Sequence, residues 1–237
     1  MHYLKTGAAK LGIELSPTQL EQFSIYYKEL IEWNRRVNLT SITDFKEVQI
    51  KHFLDSLSVT PALKHPIDGR RFLDVGAGGG FPGLPLKIAF PAIKLVLLEA
   101  TTKKAAFLRH LAEKLGFDDV YIVVGRAEDI ARQSQYRECF DVVLSRAVAQ
   151  LPVLAELTLP FCAVGGRLIS QKKGDINAEI DKAIKAIEIM GGIQPLVKRV
   201  ELDELADERY LLIVDKIAPT PDKYPRRPGI PAKRPIV

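Results

Sequence analysis

From about residue 70 onward, short apolar runs alternate with longer stretches in which apolar positions recur every three or four residues. Runs at Arg71 to Val75, Lys94 to Leu98, Val120 to Val124, Phe140 to Leu144 and Arg167 to Gln171 predict five buried strands. Two more strands fit Pro195 to Glu201 and Arg209 to Lys216. Helices are predicted between them: one ending near Phe90, one from Thr102 to Leu115 closed by Gly116, and one from Asn177 to Met190 closed by Gly191 and Gly192. Alternation of this kind predicts a mostly parallel sheet with helices on both faces. Residues 1–65 read instead as a helical extension. Ser16-Pro17-Thr18-Gln19 offers a capping box with proline at the first helical position. Leu20, Phe23, Tyr27, Leu30 and Ile31 follow on one face, and a second helix is predicted from Asp44 to Leu63.

The first strand runs into Gly76-Ala77-Gly78-Gly79-Gly80-Phe81-Pro82-Gly83. Such a loop lets a ligand approach the backbone closely, and the helix after it presents unpaired N–H groups. The dinucleotide fingerprint G-x-G-x-x-G requires a third glycine where this chain has Phe81. Asp74 followed by Gly76-x-Gly78-x-Gly80 resembles instead the first motif of the S-adenosylmethionine (AdoMet) methyltransferases. In that arrangement the loops at the strand ends converge on one crevice. The glycine loop takes the methionine moiety. Glu99, 25 residues after Asp74, accepts the ribose hydroxyls, with Ala100 and Thr101 flanking them. Ala127 and Glu128 bound the adenine. Phe81 either packs against the ligand or staples its helix.

Arg146 ends the fourth strand, where a substrate meets the methyl group. The sequence there is Ser145-Arg146-Ala147-Val148-Ala149. It contains neither the Asn/Asp-Pro-Pro-Tyr/Phe motif of amine methyltransferases nor a cysteine nucleophile. The target is therefore expected to need no proton removed and no covalent attack, as at guanine N7, so that catalysis rests on positioning and electrostatics. Arg146 is placed near the cofactor carboxylate or guanine O6, with a structural salt bridge as the alternative.

Composition changes the picture at one end only. The 237 residues, 47% hydrophobic, suffice for one large domain. Cys139 and Cys162 show no ligand spacing and read as thiols in a reducing compartment. No metal, signal peptide or membrane span is expected, and the protein is expected to be cytoplasmic and monomeric. From Lys216 to the end there are six basic residues and one acidic, a surplus of five that equals the formal net charge of the whole chain, +5. This proline-rich tail is either solvated or a strap along phosphates. On the extension, Asn34 and Asn38 either close a helix or contact a partner. His52 and Asp55, three apart, share one face as an exposed pair.

Taken together, these segments resemble the bacterial small-subunit ribosomal RNA guanine-N7 methyltransferases, the RsmG family, also called glucose-inhibited division protein B. The resemblance rests on Trp33-Asn34-x-x-x-Asn38-Leu39-Thr40, His52-Phe53-x-Asp55-Ser56, Asp74 to Gly83, Gly125-Arg126-Ala127-Glu128, Ser145-Arg146-Ala147 and Tyr224-Pro225-Arg226-Arg227-Pro228-Gly229-x-Pro231. One departure is Glu99-Ala100-Thr101-Thr102, where the family pattern has serine after the acid. The resemblance implies a Rossmann-like, seven-stranded AdoMet-dependent fold over residues 66–217, preceded by the helical extension and followed by the tail, 218–237. It implies methylation of one guanine in small-subunit rRNA, free or in the 30S particle. It also gives a cofactor role to Gly76, Phe81, Ala127, Glu128 and Arg146. The RNA platform is expected from the extension and tail, with Asn34, Asn38, His52, Lys173, Arg226, Arg227, Lys233 and Arg234 as contacts. Deleting the tail is expected to leave cofactor affinity unchanged. The rivals are an NAD-dependent oxidoreductase and a non-catalytic RNA-binding module.

Overall fold

A computed structural model describes residues 1–174, 176–205 and 207–237. The chain opens with helix α1 (His2–Lys10), then α2 (Pro17–Val37), α3 (Phe45–Val48), a π-helical segment (Gln49–Leu54) and α4 (Asp55–Leu57). It continues with β1 (Arg71–Val75), α5 (Gly83–Ala89), β2 (Lys94–Glu99), α6 (Thr102–Lys114), β3 (Val120–Val124) and α7 (Ala127–Ile130). The second half contains β4 (Phe140–Arg146), α8 (Leu151–Thr158), β5 (Cys162–Lys173), α9 (Asn177–Ile189), β6 (Leu196–Arg199), β7 (Arg209–Asp215) and α10 (Ile230–Lys233). The seven strands form one sheet in the order β3-β2-β1-β4-β5-β7-β6. β1 to β5 pair in parallel, while β7 runs antiparallel to both β5 and β6. The strand order reverses between β1 and β4, which opens a crevice at the carboxyl ends of these strands.

Successive residues of a strand point to opposite faces, and the core divides accordingly. Phe72, Leu97 and Leu144 join a cluster with Phe23, Tyr26, Phe53 and Phe107 from the extension and α6. Their neighbours Leu73, Leu98 and Val143 join the opposite cluster with Leu154 and Ile187 of α8 and α9. Burying one such side chain contributes about 1.5–3 kcal/mol, so the extension is held by several fully buried anchors on one face of the sheet.

The N-terminal capping box forms as predicted, with Ser16 and Gln19 bonded reciprocally. The buried face of α2 is Phe23, Tyr26 and Leu30, with Tyr26 taking the place expected for Tyr27. The single helix predicted from Asp44 to Leu63 is instead interrupted by the π-helical segment. The wider turn there brings Gln49, His52, Phe53 and Leu54 all inward. Helix α1 falls within the predicted helical extension, whereas the sequence predicts no helix at α8. In α8, Pro152 occupies the first turn, where its missing N–H costs nothing. Among the described residues, no helix is long and apolar enough to cross a membrane.

The tail lies against the body and includes α10, where the proline content predicts an extended chain without helix. Arg226 pairs with the fully buried Glu156 at 2.6 Å. Arg137 donates to the carbonyl oxygens of Thr220 and Tyr224 at 2.7 and 2.9 Å. Lys216, counted above with the basic tail, is itself buried, donating to Leu159 O and Thr220 Oγ1.

Candidate active site

At the tips of β1 to β4 lies a cavity of about 260 Å³. It is lined by Val75 and Gly76 at the end of β1, Leu98 and Ala100 at the end of β2, and Gly125 to Glu128 after β3. Val148 and Ala149 after β4 close one side, with Val153 and Leu157 of α8 behind them. The remaining side is the tail: Gly229, Pro231 and Ala232.

The backbone of this cavity has to be bare. A Cβ on Gly76 would lie 2.6 Å from Val148 Cγ2, inside contact distance, and the φ there is +73°. Gly78, at φ +56°, faces open space except for one carbonyl oxygen at 3.8 Å. Gly80 serves packing rather than lining, since a Cβ there would meet Leu84 and the Tyr26 hydroxyl at 2.6 Å. Tyr26 fixes the loop from outside by donating to Gly79 O at 2.5 Å. Phe81 resolves toward its structural alternative. It is buried, stacks on Tyr26 and His52 with centroids at 5.3 and 4.5 Å, and carries the Arg146 guanidinium at 4.8 Å.

One buried carboxylate, Glu128, lines this cavity, and two more, Asp74 and Glu99, sit next in sequence to its lining residues Val75, Leu98 and Ala100. Glu99 accepts from Gly78 N at 2.9 Å and from Thr101 N at 2.8 Å, so it ties the glycine loop to the β2 tip. Glu128 accepts from Gly229 N at 2.9 Å. Asp74 is fully buried and accepts from Gly83 N at 2.8 Å through Oδ2, while Oδ1 has no partner. Burial pushes the Asp74 carboxyl up to about 7, against the opposing pull of the Gly83 hydrogen bond and Arg146. An unpartnered buried acceptor beside a bare glycine backbone fits a ligand bringing an ammonium or other cation. Acidic surroundings of this kind disfavour the pyrophosphate of a dinucleotide. AdoMet, with its ammonium, sulfonium and ribose hydroxyls, fits the donors and acceptors present.

Beyond the β4 loop a second cavity of about 210 Å³ opens, lined by Asp55, Arg146, Ala147, Gln171, Lys172, Lys173 and Arg209. Ala147 holds φ +57°, a conformation that costs a residue with a side chain of order 1 kcal/mol or more. The loop thereby sends Arg146 and Ala147 to this cavity and Val148 and Ala149 to the first. Arg146 donates to Asp55 Oδ2 at 2.9 Å, and Arg209 donates to Asp55 Oδ1 at 3.0 Å. Arg146 also lies 3.4 Å from His52 Nδ1. A guanidinium only donates, so Nδ1 is the unprotonated nitrogen, and Nε2–H donates to Thr40 Oγ1 at 2.7 Å. Burial and the Arg146 charge bring the His52 imidazole down to about 3, so it stays neutral at ordinary pH. The expected exposed pair, His52 and Asp55, is therefore a buried brace for Arg146.

Of the residues expected to contact RNA, Asn34 turns inward. Its Oδ1 accepts from Leu39 N and Thr40 N at 2.6 and 2.8 Å, and its amide donates to Thr40 O at 2.8 Å. Asn38 ends α2 in the left-handed conformation, φ +54°, which asparagine tolerates. Arg226 is spent on Glu156. Lys173 keeps a 62% exposed side chain with a long 3.5 Å contact to Asp207, and Arg227, Lys233 and Arg234 are exposed. The tail, expected to stand apart from the strand-end crevice, supplies Gly229, Pro231 and Ala232 to the lining of the first cavity. This placement had no local signal, because the contacts cross about a hundred residues of chain.

The GidB family model, described as rRNA small subunit methyltransferase G, matches residues 19–206. The chain is 56% identical to ribosomal RNA small subunit methyltransferase G of Dehalococcoides mccartyi strain CBDB1, over all of both chains. It is 45% identical to the protein of that name from Brevibacillus brevis, over 97% of this chain and 96% of the relative. Among solved structures it resembles a chain in the complex of the Haloferax volcanii Trm112 methyltransferase activator with a methyltransferase. That match has a TM-score of 0.58 and 12% identity over 80% of this chain and 98% of the other. It also resembles MtNAS in complex with MTA and tNA, with a TM-score of 0.56 and 19% identity over 81% of this chain and 71% of the other. The structural likenesses bear on the fold alone, a Rossmann-like methyltransferase sheet. The family model and the full-length relatives go further: this chain belongs to the rRNA small subunit methyltransferase G family.

Proposed function

We propose that this AdoMet-dependent methyltransferase of small-subunit rRNA, acting at guanine N7, divides its work between the two cavities. The first holds the cofactor: Gly76 and Gly78 offer backbone, Asp74 Oδ1 takes an ammonium, Glu99 takes ribose hydroxyls, and Ala127 and Glu128 bound the adenine. When bound, AdoMet supplies an electrophilic methyl group on a sulfonium. The second cavity receives the nucleotide, and its surplus of cationic side chains favours phosphate.

The observation that carries this reading is that, among the described residues, the two candidate bases beside the β4 tip are both engaged. Asp55 is clamped between Arg146 and Arg209, and His52 has its bare nitrogen against Arg146 as well. Neither is poised to remove a proton. Guanine N7 requires no such removal, because its lone pair lies in the ring plane and attacks directly. The protein's part is then to orient: the Asp55 bridge and the Phe81 ring hold Arg146 where it can bind the base or its phosphate. Exposed Lys173, Arg227, Lys233 and Arg234 are the remaining RNA contacts.

Incubating the protein with tritiated AdoMet and small subunits from a strain lacking this gene should place label at one guanine N7. Label elsewhere, or none, would overturn the assignment of the reaction. Titration calorimetry checks the cofactor separately: S-adenosylhomocysteine should bind and NADH should not.

A further inference from the structure

The last residues of the chain are pinned at both ends across the mouth of the first cavity. At one end Tyr224 packs into the core shared with α8 and α9. Beside it Arg226 donates to Glu156 from its backbone N at 2.7 Å, from Nε at 2.9 and 3.1 Å and from Nη2 at 2.6 Å. Arg132 Nη2 donates to Pro225 O at 2.6 Å. At the other end Ile236 packs on the same core and Lys185 donates to Val237 O at 3.0 Å. Between these anchors Gly229, at φ +81°, turns the chain so that its N–H meets Glu128. Pro231 and Ala232 then face the cavity. Here the Gly229 hydrogen bond and the buried Pro231 hold the strap to the body, and three exposed cations flank it: Arg227, Lys233 and Arg234.

We infer that residues 226–237 form the outer wall of the cofactor site, and that rRNA phosphates on Arg227, Lys233 and Arg234 hold this wall shut. The inference rests on the first cavity being the AdoMet site. Glu128 reaches the cofactor side through α7 and the strap through Gly229, so an occupant of the cavity and the strap share one carboxylate. Whatever stabilises the closed strap then strengthens cofactor binding, and by linkage the cofactor strengthens RNA binding by the same factor. The arrangement keeps the cofactor more firmly in place when substrate is present.

The test measures S-adenosylhomocysteine affinity by calorimetry in three proteins: wild type, a chain ending at Pro228, and Gly229→Pro. The truncation keeps the Arg226 anchor. The substitution keeps both anchors but removes the N–H and the φ that the turn needs. Both variants should raise the dissociation constant by about tenfold or more, within the usual range of such couplings. Folded variants that bind like wild type would overturn the wall. Failure of wild type to bind S-adenosylhomocysteine would instead remove the cofactor reading and this inference with it. Should both variants unfold, hydrogen exchange on wild type decides. Amides of 229–234 should slow when S-adenosylhomocysteine is added, and unchanged exchange overturns the wall. For the second half, saturating undermethylated small subunits should tighten S-adenosylhomocysteine binding by about fivefold in wild type and not in a Lys233→Ala/Arg234→Ala double variant. Equal tightening in both, or none in either, overturns the role given to RNA.

Discussion

The two cavities lie on either side of one strand tip and are built in opposite ways. The first is made largely of backbone, glycines and alanines with Glu128, and beneath its β1 tip the buried Asp74 keeps Oδ1 unpartnered. The second is made of long side chains already satisfied by one another, with Asp55 bridging Arg146 and Arg209 and His52 wedged against Phe81. A cofactor of fixed shape suits a bare, preformed cradle. A nucleotide delivered by a large RNA suits cationic groups whose positions are braced in advance but whose charge still faces outward.

The harshest way to break the second arrangement is Asp55→Ala. Its carboxylate is 5% exposed and is the shared partner of two arginines, themselves 15% and 5% exposed. Removing it leaves Arg146 without its ion-pair partner and Arg209 with the exposed Asp207 alone, and losses of about 3–5 kcal/mol are usual when a buried pair is broken. Urea unfolding should show a loss of that size, and methyl transfer should fall further than the stability loss explains, because Arg146 is no longer aimed. A variant as stable as wild type would show that the bridge is not what organises this side.

Protonation draws the same contrast with a smaller effect. Asp74 ionises near 3.8 when unfolded and about 7 when folded, so between those values the folded state carries the extra proton and stability falls as pH rises. His52 is protonated below 6.5 when unfolded and only below about 3 when folded, so between those values stability rises with pH. Each group contributes a slope of about 1.4 kcal/mol per pH unit, and the two oppose one another from about pH 4 to 6.5. Relative to wild type, Asp74→Asn should therefore gain stability as pH rises from 4.5 to 6.5, and His52→Gln should lose it. Urea midpoints at the two pH values check both signs. Parallel shifts in the two variants would mean that one of these groups titrates normally.

The contrast also explains what the chain disclosed in advance. The glycine loop, the acid ending β2 and the alternation of strands and helices are local patterns, and each lies where the pattern placed it: Gly76 lines the cavity and Glu99 ties the loop. The second cavity joins residues 55, 146, 171 and 209, with His52 bracing Arg146 from beside it, and no periodicity reports a partner some ninety or more residues away. Polar residues there read as surface contacts, because nothing local says that the π-helical turn carries them inward. The docking of the tail on the body was hidden for the same reason. The tail's charge was visible, but the buried Glu156 that absorbs Arg226 lies seventy residues upstream. Helix α8 was hidden by the prolines at its two ends, which read as interruptions of an apolar run.

The mildest test separates polar residues that brace from those that remain free for RNA. Asn34 spends both its amide groups on the turn after α2, whereas Arg227 is exposed on the strap. Asn34→Ala removes three hydrogen bonds from a partly buried turn, and about 1–2 kcal/mol of stability should go with them. It should leave the salt dependence of rRNA binding untouched, since no phosphate contact is lost. Arg227→Ala should do the reverse: stability near wild type, and a log–log salt slope shallower by roughly one. If instead Asn34→Ala flattens the slope, the side chain leaves its turn to meet the RNA, and the braced side is less rigid than its hydrogen bonds require.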